Sequence, residues 1–279
     1  MKLFYSIIIP TLNEEKYLPL LLSDLNKQKE KNFEVIIVDG SSIDNTKKEA
    51  EKFKKALPLS FFTVKRRNVS FQKDFGSTKA KGSYLIFSDA DSRIGDTFIK
   101  KLNKEVSKRK YLIYLPALST KDLSYQDKTM IKLANLIIEA SQISKTPAPT
   151  GGLMIFEKNF FEFIEGYTIV KSQDKKKMFP EDNEILIKAK NCGVKAKFMK
   201  NIKVKFSLRR MKIEGRLEII RKYVVLALHT IIKGKVPKNA FDYEMGGHVH
   251  EKNHAKQKEK LEYIVDNVKK WLSKIQEEL

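Results

Sequence analysis

Two closely spaced carboxylates, Asp89 and Asp91, follow an apolar run in the segment LIFSDADS at residues 85–92. In an open α/β sheet, ligands bind outside the carboxyl ends of the strands, which is where this run stops. Neighbouring carboxylates repel each other unless a cation lies between them, and Mg²⁺ typically uses one or two carboxylates together with substrate phosphates. The pattern therefore predicts a divalent-cation site that holds a diphosphate. A strand followed by an Asp/Ser turn is the alternative interpretation.

The composition indicates a globular protein with an anionic partner. Of the 279 residues 42% are hydrophobic, which is sufficient for a sizeable core. Lys and Arg number 55 against 34 Asp and Glu, so the net charge is +21 and nucleic acid, anionic lipid and phosphorylated substrates are all candidate partners. The single cysteine, Cys192, excludes an internal disulfide. No segment approaches the ~20 apolar residues of a membrane span, and we expect a cytoplasmic protein.

Strand-like and helix-like segments alternate along the first two-thirds of the chain. Strand patterns occupy residues 4–10, 33–38, 59–64, 83–88, 111–115 and 153–156, with alternating edge strands at 195–207. Helical patterns occupy residues 71–81 and 126–144, the second with Met130, Leu133, Ile137 and Ile138 on its expected apolar side, and another helix runs from 180 toward 193. Pro10 is expected to end the first strand, residues 11–15 to cap the next helix, and Gly82 to stop the helix at 71–81. The alternation predicts an α/β fold with a mostly parallel sheet.

Polar residues follow three of these strands at the point where each strand ends. They are Thr11, Asp39 and Asp89. Because parallel strands bring their carboxyl ends to one edge of the sheet, we expect these side chains to converge. A carboxylate at the position of Asp39 can accept a hydrogen bond from the imide N–H of uracil or from the N1–H and N2–H₂ edge of guanine. The sequence therefore predicts a nucleotide site at this edge.

Three motifs, in this order and spacing, resemble the family 2 glycosyltransferases of the GT-A fold. They are IIIPTLNEE at residues 7–15, VDGSSIDNT at 38–46 and SDAD at 88–91. The resemblance covers roughly the first two-thirds of the chain. It implies an inverting enzyme that depends on Mg²⁺ or Mn²⁺ and moves a sugar from a UDP- or GDP-linked donor to an acceptor hydroxyl, on a lipid-linked or polysaccharide precursor of envelope glycans. The family often has Asp-Asp-Gly-Ser in the second motif, and this departure leaves the base open.

The resemblance also assigns the residues that bind the nucleotide-diphospho-sugar. Those expected to line the nucleotide are Pro10, Thr11, Asn13, Glu14, Asp39 and Ser41. Asp89 and Asp91 match an Asp-x-Asp motif whose second carboxylate usually binds the metal, while the first reaches the ribose or the metal. Lys73 lies in QKDFG at 72–76, which matches a segment near the diphosphate. A solvated helix lysine is the alternative for Lys73.

The segment FPED at residues 179–182 resembles the Glu-Asp pair of the family, in which the Asp is the general base. An inverting transfer needs a carboxylate on the face opposite the leaving group, to take the proton of the acceptor hydroxyl. Asp182 is the expected base and Glu181 the second choice. An acidic first turn that only stabilises a helix N-terminus is the alternative. The segment TGG at 150–152 matches a stretch where the backbone approaches sugar and acceptor.

A change in composition near residue 209 predicts two parts of the chain. These are a GT-A catalytic domain at 1–208, divided into a nucleotide-binding part at about 1–115 and an acceptor part at about 116–208, and a basic, mainly helical extension at 209–279.

Several residues of this extension are further site candidates. Arg209 and Arg210 resemble a Ser-x-Arg-Arg segment and could clamp the pyrophosphate, or belong to a basic patch that faces a membrane. His248 could reach the metal, or lie in a surface loop. The basic and apolar segment 216–235 could contact an anionic membrane at its inner face, or pack on the catalytic domain.

Two other classes of protein are considered. A nucleotidyltransferase-like enzyme also sets carboxylates around a metal and phosphates, but it commonly has a Gly-rich, basic loop after the first strand, and residues 11–15 contain none. A nucleic-acid-binding protein fits the net charge. However, the sequence has no binding motif with interleaved aromatics, and the acidic strand ends would repel phosphates without a metal. We therefore expect no nucleic acid partner.

Overall fold

Eight strands form one sheet flanked by helices in the computed structural model, which describes residues 4–119, 125–168 and 181–205. The strands are β1 (Tyr5–Thr11), β2 (Phe33–Asp39), β3 (Leu59–Thr63), β4 (Tyr84–Ser88), β5 (Arg93–Ile94), β6 (Ile113–Leu118), β7 (Leu153–Glu157) and β8 (Lys197–Lys205). The helices are α1 (Leu18–Asn26), α2 (Thr46–Glu51), α3 (Val69–Lys79), α4 (Phe98–Lys108), α5 (Tyr125–Ser141), α6 (Lys158–Phe163) and α7 (Glu181–Asn191). The strand order is β3-β2-β1-β4-β7-β6-β8-β5.

The first half of the sheet is parallel. β1 lies between β2 and β4 and pairs with both in parallel, and β2 pairs in parallel with β3. Every residue of β1 and β4 is buried, as their continuous apolar runs predict for strands covered on both faces. Thr11 pairs with Asp39, so the carboxyl ends of β1 and β2 are level. The α/β prediction is confirmed, and the expected strand ends share one edge.

The second half of the sheet is mixed. β7 is antiparallel to β4 and β6, whereas β6 and β8 are parallel. β8 is a single strand that pairs with β6 and, only at Val204 and Lys205, with the two-residue β5, so the predicted segment 195–207 contains one strand rather than several. The described residues all belong to one compact unit. Residues 209–279 lie outside them, and the division of the chain at 208/209 stays a prediction.

The expected break at Pro10 does not occur. β1 continues through Pro10, which pairs with Val38, to Thr11. Pairing of β1 with β4 ends at Ile8 and Phe87, so beyond this point the strand is open on its β4 side and tolerates a residue without an N–H donor.

The segment after β1 does not cap a helix either. α1 begins only at Leu18, with Tyr17 as an N-cap that makes no side-chain hydrogen bond. Residues 12–15 instead form a loop in which Asn13 has a positive φ of 56°.

Gly82 has a packing role rather than the predicted helix-stopping role. α3 begins after Asn68, whose side chain accepts from the Phe71 N–H, and it ends at Lys79. A Cβ on Gly82 would lie 2.6 Å from the Ser6 backbone nitrogen and 2.7 Å from the Tyr5 carbonyl carbon. Backbone atoms cannot move aside as a flexible side chain can, so the approach of this turn to β1 requires glycine.

Helix α5 is shorter than the predicted range of 126–144 and differs in its buried face. Ile131 and Ile138 are buried, and the Asn135 side chain exchanges hydrogen bonds with the Leu118 backbone. Leu133 was expected on the core side, but it is 54% exposed. Of the predicted stripe, Ile138 is buried as expected, and Ile131 is buried in place of Leu133.

Substitution of Gly82 by Ala should destabilise the fold by ~1–3 kcal/mol, because the added methyl group overlaps backbone atoms of β1. Denaturant unfolding followed by circular dichroism measures this change. Gly95 is the matched control, since a Cβ there meets nothing within 4 Å, and Gly95→Ala should change the stability by less than about 0.5 kcal/mol. Equal stabilities of the two variants would contradict the packing role of Gly82.

Candidate active site

The loops that follow β1 and β2 are joined by hydrogen bonds between side chains and backbone. The Asn13 N–H donates to Ser42 Oγ at 2.8 Å, and the Ile43 N–H donates to Asn13 Oδ1 at 2.9 Å. The Glu14 N–H donates to Thr46 Oγ1 at 2.8 Å. The two loops thus hold each other in place, as expected for a preorganised binding edge.

Asp39 is the central acceptor of this edge and is only 3% exposed. Its Oδ1 accepts from Thr11 Oγ1 at 3.0 Å and from Ser42 Oγ at 2.5 Å, and its Oδ2 accepts from the Ser42 N–H at 2.8 Å. The bonds from Ser42 to the Asp39 carboxylate stabilise the turn that follows β2. They leave acceptor capacity on Oδ2, so the same carboxylate remains able to receive an N–H of a base.

Two residues of this edge were not identified from the sequence. The buried Gln72 donates through Nε2 to the carbonyls of Thr11 at 2.9 Å and Val38 at 2.7 Å, and so bridges the ends of β1 and β2. Arg67 donates to the carbonyl of Gly40 at 3.2 Å and to that of Ser41 at 3.1 Å. The one sequence feature that could have indicated Gln72 is its position next to Lys73 in the QKDFG segment at residues 72–76.

Asp89 and Asp91 lie in the turn after β4. The Asp89 N–H donates to the Gly152 carbonyl at 2.8 Å, and Ser92 Oγ donates to the same oxygen at 3.0 Å. The pKa of Asp89 is raised to about 7, mainly because the group is withdrawn from water and further because Asp91 adds negative charge; Lys73 opposes the shift. A cation beside Asp89 would favour its ionised form.

The donor atoms in this turn fit a divalent cation such as Mg²⁺ or Mn²⁺. A Cβ on Gly152 would lie 3.6 Å from Asp89 Oδ2 and 3.0 Å from Ser92 Oγ, so the missing side chain leaves room beside the carboxylate. Within residues 4–119, 125–168 and 181–205, no three or more His, Cys, Asp or Glu side chains form a metal-binding group. Two carboxylates completed by substrate phosphates and water are a typical environment for Mg²⁺.

Lys73 lies beside the predicted general base. Its side chain is 3% exposed, and its Nζ lies 2.8 Å from Asp182 Oδ1 and 3.2 Å from Glu181 Oε1. The interpretation of Lys73 as a solvated helix lysine was therefore wrong. The Tyr167 ring, which the sequence analysis did not single out, covers the ammonium with its centroid 5.0 Å away.

One pocket contains residues from both halves of the sheet. It is lined by Lys73, Phe87, Asp89, Gly152, Leu153, Met154 and Asp182. The predicted metal ligand Asp89 and the predicted base Asp182 therefore share a pocket, although they come from different elements. Glu181, next to Asp182, has a raised pKa, chiefly because of burial.

The remaining predicted site residues are in the C-terminal part of the chain. Arg209, Arg210 and His248, and the segment 216–235, lie outside the described residues. Within the part of the chain that the structure describes, no helix has both the length and the apolar character needed to cross a membrane.

The fold is that of GT-A glycosyltransferases. A mannosyltransferase from Pyrobaculum calidifontis, solved with GDP-Man and Mn²⁺, superposes with a TM-score of 0.62 at 17% identity. The matched region covers 87% of this chain and 68% of the mannosyltransferase. Residues 1–349 of S. aureus TarS, solved with UDP-GlcNAc, give a TM-score of 0.58 at 18% identity, with 82% and 67% covered.

The sequence places the chain within a family of that fold. Residues 6–165, more than half of the chain, match the model of Glycosyl transferase family 2, so the protein belongs to this family. The family predicted from the three motifs is confirmed.

Curated relatives share parts of the chain. One relative is TarS of Staphylococcus aureus strain Mu50, a poly(ribitol-phosphate) β-N-acetylglucosaminyltransferase. The two sequences are 34% identical over 106 residues. This match covers 34% of this chain and only 18% of TarS. The dolichol-phosphate mannosyltransferase of Pyrococcus furiosus is 25% identical over 255 residues, covering 81% of this chain and 69% of that enzyme.

The space beside Asp89 can be tested with a matched pair of glycine variants. Gly151 and Gly152 both have positive φ, 68° and 84°, so alanine strains the backbone at both positions. Only at Gly152 does the methyl group also approach Ser92 and Asp89. We expect Gly152→Ala to lower turnover with a nucleotide-sugar donor about ten-fold more than Gly151→Ala does. Equal effects in steady-state assays would show that strain alone matters.

Proposed function

We propose that this protein is an inverting, metal-dependent glycosyltransferase that transfers a sugar from a UDP- or GDP-linked donor to an acceptor hydroxyl. The observation that carries the proposal is the shared pocket of Asp89 and Asp182. It brings a group suited to hold a metal–diphosphate together with a group suited to remove a proton, as single displacement at a sugar carbon requires.

The nucleotide would lie along the edge formed by the β1 and β2 loops. Asp39 Oδ2 is available to a base N–H, and the nucleotide would be lined by Pro10 and Thr11 at the end of β1 and by Asn13, Glu14 and Ser41 in the loops. Asp89 and Asp91 would hold Mg²⁺ or Mn²⁺, which supplies Lewis-acid stabilisation of the departing diphosphate. Structures of two relatives with this fold, described as complexes with UDP-GlcNAc and with GDP-Man and Mn²⁺, support both the donor class and the cation.

Asp182 would act as the general base. The acceptor oxygen attacks the anomeric carbon, the bond from that carbon to the diphosphate oxygen breaks, and the hydroxyl proton passes to the carboxylate of Asp182. The products are the glycosylated acceptor, with inverted configuration, and the nucleoside diphosphate. Asp182 lies in the first turn of α7, which is the predicted position. Glu181 remains the second choice.

Membership of Glycosyl transferase family 2 favours this function over a nucleotidyltransferase or a nucleic-acid binder. Nucleotidyl transfer would release pyrophosphate, whereas glycosyl transfer releases a nucleoside diphosphate. The loop at residues 11–15 supports the same choice, because its backbone N–H groups are engaged with the β2 loop rather than arranged as a Gly-rich phosphate cradle.

We further propose a peripheral contact with an anionic membrane, made by the outer face of α5 and the turn after it. This face exposes Leu133 by 54%, Leu136 by 61% and Ile143 by 75%, and the exposed Lys128 and Lys132 lie beside it. Apolar residues flanked by lysines are the pattern of helices that lie in a lipid interface. The acceptor would then be lipid-linked, in keeping with relatives whose names include dolichyl and dolichol-phosphate transferases.

The first test concerns the two carboxylate roles. Asp91→Ala and Asp182→Asn should each lower turnover by about 10²–10⁴-fold, because one removes a metal ligand and the other the base. Release of nucleoside diphosphate is the readout, and circular dichroism confirms folding. Glu184→Gln, another acid in the first turn of α7, should keep near-wild-type turnover. Full activity of both Asp variants would refute the proposal.

The second test concerns the membrane. Flotation with phosphatidylglycerol-containing vesicles should carry the wild-type chain upward, and the double substitution Leu133→Ser and Leu136→Ser should lower the partition coefficient roughly ten-fold. Phe163→Ser is the control, since Phe163 is 72% exposed on α6. The contact is excluded if the wild-type chain stays unbound, or if the α5 variant floats as well as the control.

A further inference from the structure

Lys73 is a buried ammonium held between two helices that are far apart in the sequence. It lies in the middle of α3, whereas both of its carboxylate partners, Glu181 and Asp182, open α7. Moving an ammonium out of water costs on the order of several kcal/mol unless paired groups compensate. The two carboxylates are 17% and 19% exposed at their side chains, so the ion pair lies at the inner wall of the pocket.

The position of Lys73 is fixed from several sides. The Tyr167 ring covers the ammonium, and the Tyr167 N–H donates to Oδ1 of Asp74, the next residue along α3, at 2.9 Å. One turn further, a Cβ on Gly76 would lie 2.4 Å from Ile8 Cγ2, so α3 packs closely on β1. Lys73 is therefore a rigidly placed charge rather than a mobile surface arm.

The contact with Asp182 involves one carboxylate oxygen. Oδ1 accepts from Lys73, which leaves Oδ2 as the atom able to take a proton from an acceptor hydroxyl. Glu181 Oε1 accepts from the same ammonium and so anchors the start of the helix.

We propose that Lys73 is a positioning residue for the general base, which orients Asp182 through its contact with Oδ1, rather than primarily a ligand of the diphosphate. The inference rests on the proposed function, in which Asp182 is the base. It assigns to Lys73 a different role from the one that the family resemblance implied, since its direct ion-pair partners are Glu181 and Asp182.

The two roles of Lys73 predict different kinetics. For a positioning residue, Lys73→Met should lower kcat about 10–100-fold, while the donor KM and the affinity for UDP or GDP with Mn²⁺ stay within about three-fold. Lys73→Arg, which keeps the charge, should recover part of kcat. Lys188→Met is the matched control: Lys188 lies on α7, but donates to the Gly166 carbonyl, and its loss should leave kcat near the wild-type value.

A double-mutant cycle separates positioning from general support of the fold. In the Asp182→Asn background, Lys73→Met should cause no further loss of kcat, because groups that act as a unit are not additive. If Lys73→Met does not fold, Lys73→Gln replaces it in the cycle. Additive losses, or a weakened donor affinity with unchanged kcat, would overturn the inference while leaving Asp182 as the base. A fully active Asp182→Asn enzyme would instead overturn the assignment of the base itself.

Discussion

The buried charge of Lys73 constrains the whole site. An ammonium that is withdrawn from water needs carboxylates nearby, and here both come from the first turn of α7. Burial alone would lower the pKa of Lys73, but Asp182, Tyr167, Glu181 and Asp89 together raise it well above its usual value, so the group stays charged. Helices α3 and α7 therefore cannot shift independently. These two ion pairs, together with the buried Ile185 and Leu186 of α7, help to set the distance between the nucleotide edge and the proposed base.

The nucleotide edge is held by a second, separate set of contacts. Asp39 is ordered by Thr11 and Ser42, and Gln72 links the two strand ends through their carbonyls. Since α3 carries both Gln72 and Lys73, one helix connects this edge to the ion pair. A ligand at the edge thus meets polar groups that already have partners, so little reorganisation is needed on binding. The room for the reacting groups comes instead from Gly152, next to Asp89.

Continuous apolar runs allowed β1, β2 and β4 to be predicted, and the rule that parallel strands end at one edge placed Thr11, Asp39 and Asp89 together. The failures have physical reasons. β5 has two residues and carries no periodicity, and Pro10 is tolerated because β4 pairing has already ended. Burial of Lys73 depends on residues more than 100 positions away, which local pattern does not show. Gly82 was taken for a helix stop because its contact with the β1 backbone is also non-local.

The charge of the pocket is opposite to that of the chain. The net charge of +21 suggested a general attraction for polyanions, yet in the described part of the chain Asp89, Glu181 and Asp182 lie near the ammonium of Lys73, and Asp91 lies near Asp89. At contact distance these carboxylates repel a diphosphate, and the lysine among them is already engaged. Asp89 and Asp91 would hold the proposed divalent cation, whose charge would offset this local repulsion. The acidic pocket therefore argues for a donor that arrives with a metal ion, and against phosphate binding driven by the basic surface alone.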